Sequence, residues 1–220
     1  MVGLTGGIAS GKSTVAARLR EHHGFRVIDC DVLVGAQYWV QRRVCSHRPL
    51  ALSQGHRAYT KGSECFGRVV EAFGADVVAD DGSINRKVLG GKVFGKPEEL
   101  KKLTDIVWAE IDRLLALELA AAVPDAVVFV EAAVLFEASW ERRCREVWTV
   151  AVSEEMAVQR LFARNNLDEG AARARIAAQL SNEERARRSQ VVIENRGSVA
   201  ELHAIVDERV AELNKKYAKL

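Results

Sequence analysis

Short, unbroken apolar runs recur along the chain and alternate with longer segments that carry apolar residues every three or four positions. Runs of the first kind are typical of strands buried on both faces of a parallel sheet, and the second spacing is typical of amphipathic helices. The pattern predicts strands at 2–5, 25–28, 126–130, 147–152 and 189–193. It predicts helices at 12–21, 98–122, 154–164, 169–180 and 199–219. This alternation predicts an α/β fold with a parallel sheet and right-handed crossovers.

Composition narrows the class of protein without identifying it. The 220 residues are 48% hydrophobic and 28% charged, with only 3 prolines, which excludes disordered and collagen-like chains. A net charge of +2 gives no indication of nucleic-acid or membrane-surface binding by bulk charge. The 4 cysteines show neither zinc-ligand spacing nor a disulfide framework. We find no secretory signal and no apolar run long enough to cross a membrane, so a cytoplasmic location is expected.

A phosphate-binding loop is the clearest motif. Between the first predicted strand and the first predicted helix the chain reads Gly6, Gly7, Ile8, Ala9, Ser10, Gly11, Lys12, Ser13 and Thr14, which matches GxxxxGK[ST]. In such a loop the backbone N–H groups face phosphate oxygens, Lys12 reaches the β and γ phosphates, and the Ser13 hydroxyl can ligate Mg²⁺. The motif predicts nucleotide binding but leaves open whether the nucleotide is hydrolysed, used as a phosphoryl donor or sensed.

Two further groups of residues suggest phosphoryl transfer. Asp29 and Asp31 follow the second predicted strand, where one carboxylate could take the proton of an acceptor hydroxyl; two solvated aspartates are an equally good interpretation. Residues 154–185 form an arginine-rich pair of helices that could close over a nucleotide. Its arginines are Arg160, Arg164, Arg173, Arg175 and Arg185. For any single one of them a solvated helix face is the commoner situation, and Arg160 and Arg164, one turn apart, are the preferred candidates.

Taken in order, the motifs resemble those of the dephospho-coenzyme A kinases. The matching pieces are 4–14 (LTGGIASGKST), 27–31 (VIDCD), 81–89 (DGSINRKVL), 93–94 (VF), 133–137 (AVLFE), Arg160 with Arg164, Gln179, and 192–197 (VIENRG). Two segments differ from the pattern of many bacterial members: 133–137, where those read Pro-Leu-Leu-Phe-Glu, and 107–109, where those carry His-Pro. Both variants look like the kinase domain of the animal bifunctional CoA synthase.

The resemblance implies a function and a set of roles. It implies transfer of the ATP γ-phosphoryl group, with Mg²⁺, to the ribose 3′-hydroxyl of dephospho-CoA. By the same resemblance Asp31 would be the catalytic base and Arg86 would contact the acceptor or the transferred phosphate. Arg160 and Arg164 would reach the ATP phosphates, and Asn195 to Gly197 would lie beside the adenine. An adenylyltransferase domain, absent from this chain, would be a partner, and the animal likeness adds mitochondrial association to the expected cytoplasmic location.

The implied fold is a P-loop nucleotide-kinase domain over residues 1–220. Its core would comprise 1–33, 124–153 and 187–220, with a helical substrate-binding part at about 55–123 and a lid at about 154–186. Residues 34–54 interrupt the likeness, since residue 33 would join residue 55 directly without them. The segment begins with a valine and ends with a glutamine, whose codons can begin with GT and end with AG. A retained intron and a genuine surface loop both fit.

Two alternative functions stay open at this level. One is a P-loop kinase that acts on another small metabolite, against which segments 84–89 and 133–137 argue. The other is a non-catalytic ATP-binding fragment that the 34–54 insertion has disabled. A GTP-dependent switch is disfavoured because the chain lacks an Asn-Lys-x-Asp motif.

Overall fold

A computed structural model describes residues 1–30, 61–123 and 126–217. The chain divides into two compact units. The first is Met1–Ile28 with Val123–Leu220, and the second is Asp29–Ala122. In the described residues, no helix is both long enough and apolar enough to cross a membrane.

The first unit contains a five-stranded sheet in the order β2-β3-β1-β4-β5. The strands are β1 (Val2–Gly6), β2 (Arg26–Asp29), β3 (Val128–Glu131), β4 (Glu146–Ala151) and β5 (Val191–Glu194). β1 pairs in parallel with β3 on one side and with β4 on the other, and β4 pairs in parallel with β5. This confirms the predicted α/β fold with a parallel sheet.

Helices occupy most of the remaining described chain. They are α1 (Lys12–Glu21), α2 (Glu64–Phe73), α3 (Arg86–Val93), α4 (Pro97–Ala120), α5 (Glu154–Asn165), α6 (Glu169–Ala177), α7 (Asn182–Arg187) and α8 (Val199–Tyr217). Short 3-10 turns lie at Ala75–Val77 and Trp140–Arg143.

The main core of the first unit lies between the sheet and the helices α1 and α8. Every residue of β1 is buried, as expected for a central strand of a parallel sheet. On this face Leu4, Phe129 and Trp148 pack against Leu19 and Val206. The core therefore holds β1 and α1 firmly, and the segment that joins them is anchored at both ends.

The second unit is helical in its described part. α4 packs against α2 and α3. Side-chain caps begin two of these helices: Ser63 Oγ accepts from the N–H of Phe66, and Asn85 Oδ1 accepts from the N–H of Val88. These contacts explain why the polar turns before 64 and 86 start helices.

The main differences from the sequence prediction are one helix that ends early and two helices, α2 and α7, that were not predicted. The helix predicted at 169–180 ends at Ala177, because Ser181 accepts from the N–H of Glu184 and thereby starts α7. Helix α2 was not predicted, although its N-cap serine is a recognisable start signal. The proposed insertion at 34–54 lies outside the described residues.

Candidate active site

The loop between β1 and α1 has a conformation that requires small residues. Ala9 has φ 61° and Gly11 has φ 95°, both in the left-handed region. A Cβ atom on Gly11 would lie 2.3 Å from Asn195 Nδ2, and one on Gly6 would lie 2.6 Å from the carbonyl oxygen of Val150. Side chains at either glycine would collide with buried neighbours, so the loop keeps its backbone close to the sheet edge.

A buried ion pair stands at the end of the loop. Lys12 Nζ donates to Glu131 Oε1 at 2.8 Å, and the Ser13 hydroxyl lies 3.4 Å from the same oxygen. Glu131 is the last residue of β3, paired in register with Leu4 of β1, so the sheet itself positions its carboxylate beside the loop. Its side chain is only 3% exposed and that of Lys12 is 11% exposed. A lysine, a hydroxyl and a carboxylate thus converge where the helix begins.

Arg160 and Asn195 hold the loop backbone through its carbonyl oxygens. Arg160 Nη1 donates to the carbonyl oxygen of Ala9 at 3.1 Å, and its Nη2 donates to Asn195 Oδ1 at 3.2 Å. Asn195 in turn donates through Nδ2 to the carbonyl oxygen of Ser10 at 2.8 Å. These hydrogen bonds engage the carbonyl oxygens of Ala9 and Ser10 and so hold the backbone of the loop in one conformation.

The pair of helices α5 and α6 packs directly on the loop. Ile8 and Ala9 contact an apolar cluster that includes Leu161 of α5 and Ala172 of α6. Just beyond α6, Gln179 Oε1 accepts from the N–H of Ile8 at 2.7 Å. The predicted lid segment therefore contacts the loop in this structure.

Arg185 of α7 links the ends of two strands. It is fully buried, and its Nη1 donates to Thr5 Oγ1 and to the carbonyl oxygen of Ala133 at 3.2 and 3.0 Å. Its Nη2 lies 3.4 Å from Glu137 Oε1. The residue braces β1 against the segment after β3, close to Glu131.

The predicted site residues are placed as follows. The loop residues and Lys12, Ser13 and Thr14 lie together, with the N–H of Thr14 donating to the carbonyl oxygen of Gly11. Within the described residues only Arg160 of the preferred arginine pair donates to the loop, because Arg164 is exposed and donates through Nε to its neighbour Asn165. Gly197 is exposed beside Glu201.

The roles of all the predicted site residues stay predictions, and for two of these residues no side chain is described. Asp31 lies outside the described residues, and Arg86 is the first residue of α3 but its side chain is not described. The structure therefore describes residues of the predicted nucleotide side, whereas the acceptor side rests on the sequence.

Sequence reasoning missed Glu131, and it named Arg175 and Arg185 among the helical arginines without predicting that they are buried. Glu131 had a usable signal, since it is a carboxylate at the end of an apolar strand in a sheet that carries a phosphate loop. Arg185 and Arg175 had none, because a helical arginine with polar neighbours resembles any solvated position until the helices are packed.

These features define a class before any relative is considered. A parallel sheet whose central strand runs into a GxxxxGK[ST] loop, with a lysine–glutamate pair at the sheet edge and a helical hairpin on the loop, is a P-loop nucleotide-kinase fold. The glycine-lined loop, together with Lys12 and Ser13 at the start of helix α1, suits the phosphate chain of a nucleotide.

Comparison with known proteins specifies the family. The dephospho-CoA kinase family model matches residues 1–45 and 52–201, and the chain belongs to that family. The interior stretch without a match is 46–51, and the rest of the predicted insertion at 34–54 lies within the match.

Individual relatives agree with this assignment. A dephospho-CoA kinase from Geobacter sulfurreducens is 39% identical, over 94% of this chain and 95% of its own length. One from Symbiobacterium thermophilum is also 39% identical, over 94% of this chain and 78% of its own length. A crystal structure from Thermus thermophilus superposes with a TM-score of 0.73 at 35% identity and covers 96% of both chains.

Proposed function

We propose that this protein transfers the γ-phosphoryl group of ATP to the ribose 3′-hydroxyl of dephospho-CoA, the reaction that completes coenzyme A synthesis. The observation that carries the proposal is the convergence of Lys12, Ser13 and Glu131 at the phosphate loop of a chain that belongs to the dephospho-CoA kinase family. Phosphoryl transfer needs little covalent chemistry from the protein and depends on positioning and charge neutralisation.

The donor side is built from described residues. Lys12, held in place by Glu131, would neutralise charge on the β and γ phosphates as the bond to the leaving group lengthens. Ser13 Oγ and Glu131 Oε1, 3.4 Å apart, are oxygen donors of the kind that Mg²⁺ prefers, and we assign the metal to them. Held by these two oxygens, the metal would supply positive charge that offsets the negative charge of the phosphates. Arg160 would fix the loop conformation through the carbonyl of Ala9.

The acceptor side rests on the family motifs. We propose Asp31 as the base that orients the 3′-hydroxyl and takes its proton, and Arg86 as a contact to the acceptor or to the phosphoryl group in transfer. We further propose that Arg164 reaches the ATP phosphates when nucleotide is bound and that the 195–197 segment lies beside the adenine.

The test is acceptor-dependent ADP release with ATP and Mg²⁺. We expect turnover with dephospho-CoA and none with nucleosides or other hydroxyl metabolites, and the product should carry a new phosphate at the 3′ position by ³¹P NMR. Turnover with a different acceptor only would contradict the proposed substrate. ATP binding without turnover on any acceptor would favour the non-catalytic alternative.

Asp31→Asn separates chemistry from nucleotide binding. We expect turnover to fall roughly 10²- to 10⁴-fold, the range of general-base catalysis, while the Kd for ATP changes little. Asp29→Asn is the matched control, since it removes the other carboxylate of the motif. Equal losses of turnover and ATP affinity in Asp31→Asn would assign the residue to metal binding or structure instead.

We make two narrower proposals. The first is that the 34–54 segment is a retained intron, and the second, drawn from the likeness to animal CoA synthase, is that an adenylyltransferase domain is a partner. Sequencing of mature transcripts tests both. Messages that encode residues 34–54 throughout would contradict the intron, and messages without an adjoining adenylyltransferase would contradict the fused partner. Comparing turnover of the full chain with that of a chain lacking 34–54 then shows whether the segment affects catalysis.

A further inference from the structure

One buried cation of the nucleotide-binding unit has no role in the reaction as described above. Arg175 of α6 is only 7% exposed, and its Nε and Nη2 atoms are buried without a hydrogen-bond partner among the residues that the structure describes. An arginine keeps its proton at every pH at which proteins fold, so it cannot escape burial by becoming neutral. A buried charge with unused donors is strongly unfavourable unless an anion joins it.

Two other arginines of the same region show that a buried guanidinium without hydrogen-bond partners is unusual there. Arg185 is buried more completely, yet its guanidinium donates to Thr5, to Ala133 and toward Glu137. Arg173, on the same helix as Arg175, is exposed and pairs with two glutamates. The lack of partners therefore belongs to Arg175 and not to arginines of this helical hairpin in general.

The position of Arg175 on its helix directs it toward the phosphate loop. Residues three and four apart share a helix face, so Arg175 lies on the face of Ala171 and Ala172. Both alanines belong to the apolar cluster against which Ile8 and Ala9 of the loop pack. Four residues further on, Gln179 accepts from the N–H of Ile8 at 2.7 Å. Arg175 thus stands between two positions that touch the loop.

We propose that Arg175 is a further phosphate-binding residue, whose guanidinium takes the phosphate chain of ATP as its missing anionic partner. The inference rests on the proposed function, because it takes ATP as the ligand of the loop. The planar fork of a guanidinium matches two phosphate oxygens, and exclusion of water around Nε and Nη2 strengthens such a contact. Lys12 and Arg175 would then bring positive charge to the nucleotide from α1 and α6.

The experiment measures ATP–Mg²⁺ binding by titration calorimetry in the absence of acceptor, together with the melting temperature of the ligand-free protein. The variants are R175M, which keeps an unbranched apolar stem but removes the charge, and R175K, which keeps the charge. R173Q is the matched control, since it also removes one positive charge from α6 but from an exposed, paired position.

We expect R175M to weaken ATP binding roughly 10- to 100-fold, R175K to lose less, and R173Q to stay within about twofold of the wild type. The ligand-free melting temperature of R175M should match or exceed that of the wild type, because the variant removes a buried charge without partners. ATP affinity in R175M equal to that in R173Q would overturn the proposal. So would a lowered ligand-free melting temperature of R175M with a parallel loss of affinity, since that is the result of a structural role.

Failure of the inference can be told apart from failure of the proposed function. A wild-type protein that binds no ATP contradicts the proposed function and this inference together. A wild-type protein that binds ATP but does not phosphorylate dephospho-CoA contradicts only the proposed acceptor, and weakened ATP binding in R175M then still supports the role of Arg175.

Discussion

The two ends of helix α1 carry charged groups of similar kinds in opposite circumstances. At its N-terminal end Lys12 and Glu131 form a buried pair beside a loop with a left-handed Ala9 and a left-handed Gly11. At its C-terminal end Arg18 makes a bidentate contact with Asp207, at 2.9 and 2.6 Å, and His23 Nε2 lies 2.7 Å from the same carboxylate. This second group is partly exposed, and its carboxylate is engaged on both oxygens.

We interpret the N-terminal end of α1 as the functional end and the C-terminal end as the stabilising end. Positive φ at a non-glycine residue costs about 1–2 kcal/mol, and a buried ion pair is weak evidence of stabilisation. The N-terminal end therefore lowers the free energy of unfolding. Such exceptions to the usual rules concentrate at functional sites. The C-terminal end follows the ordinary rules for a helix terminus, with cationic side chains in its last turns and a carboxylate from the neighbouring helix. Although His22, His23 and Asp207 have metal-ligand chemistry, the guanidinium of Arg18 occupies the carboxylate.

The largest expected effect comes from Lys12→Ala at the functional end. Turnover should fall roughly 10²- to 10³-fold and ATP should bind more weakly, because a cation that stabilises the transferred phosphoryl group is lost. Steady-state kinetics and ATP titration measure both quantities. Arg20→Gln, an exposed change on the same helix, is the control and should leave both quantities unchanged. Full activity in Lys12→Ala would show that the N-terminal end of α1 is not the functional end.

Gly11→Ala tests the strained loop and should have the next largest effect. We expect the free energy of unfolding to fall by about 1–3 kcal/mol, since the left-handed φ is joined by a clash with Asn195. Urea denaturation measures the change, and ATP affinity should fall with it.

Gly24→Ala is the matched control for Gly11→Ala. Gly24 also has a positive φ, 69°, but a Cβ atom there would meet nothing within 4 Å. We expect a loss of about 1 kcal/mol from backbone strain alone, with ATP affinity unchanged. If both variants lose the same stability, the close approach of Asn195 to the loop contributes nothing.

The smallest effect is expected at the structural end, from Asp207→Asn. Hydrogen bonds donated by Arg18, and then by His23, hold the pKa of the Asp207 carboxyl well below its usual range. Because that side chain is 36% exposed, we expect a loss of only about 1 kcal/mol in the free energy of unfolding at pH 7. Kinetic constants should not change, and an effect on turnover would show that the two ends of α1 are coupled.

The same variant has a defined pH dependence. A lowered pKa in the folded state stabilises the protein above the unfolded pKa of about 4, and this contribution is lost as the pH falls below that value. The difference in unfolding free energy between wild type and Asp207→Asn should therefore shrink as the pH falls below about 4. A difference that persists at acid pH would mean that packing, and not the ion pair, explains the loss.

Much of the fold could be predicted because its signals are local. The apolar runs of β1 and β4 and the periodic spacing in α1 and α8 depend on neighbours within a few residues, so these elements were predicted within two residues of their observed ends. The end of α6 was misplaced by three residues, because a serine cap four residues beyond Ala177 outweighed the continued helical pattern.

The sequence by itself determined the phosphate loop, since Gly6 to Ser13 are contiguous and their spacing alone requires the turn from strand to helix. Only the tertiary structure decided which distant residues complete the site. Glu131 meets Lys12 across 119 positions of the chain, and Asn195 meets Ser10 across 185. Parallel pairing joins strands that are far apart in sequence, so such contacts leave no local pattern. Burial is also decided by tertiary packing. Arg173 and Arg175 are two residues apart on one short helix, and packing alone leaves Arg173 exposed and buries Arg175.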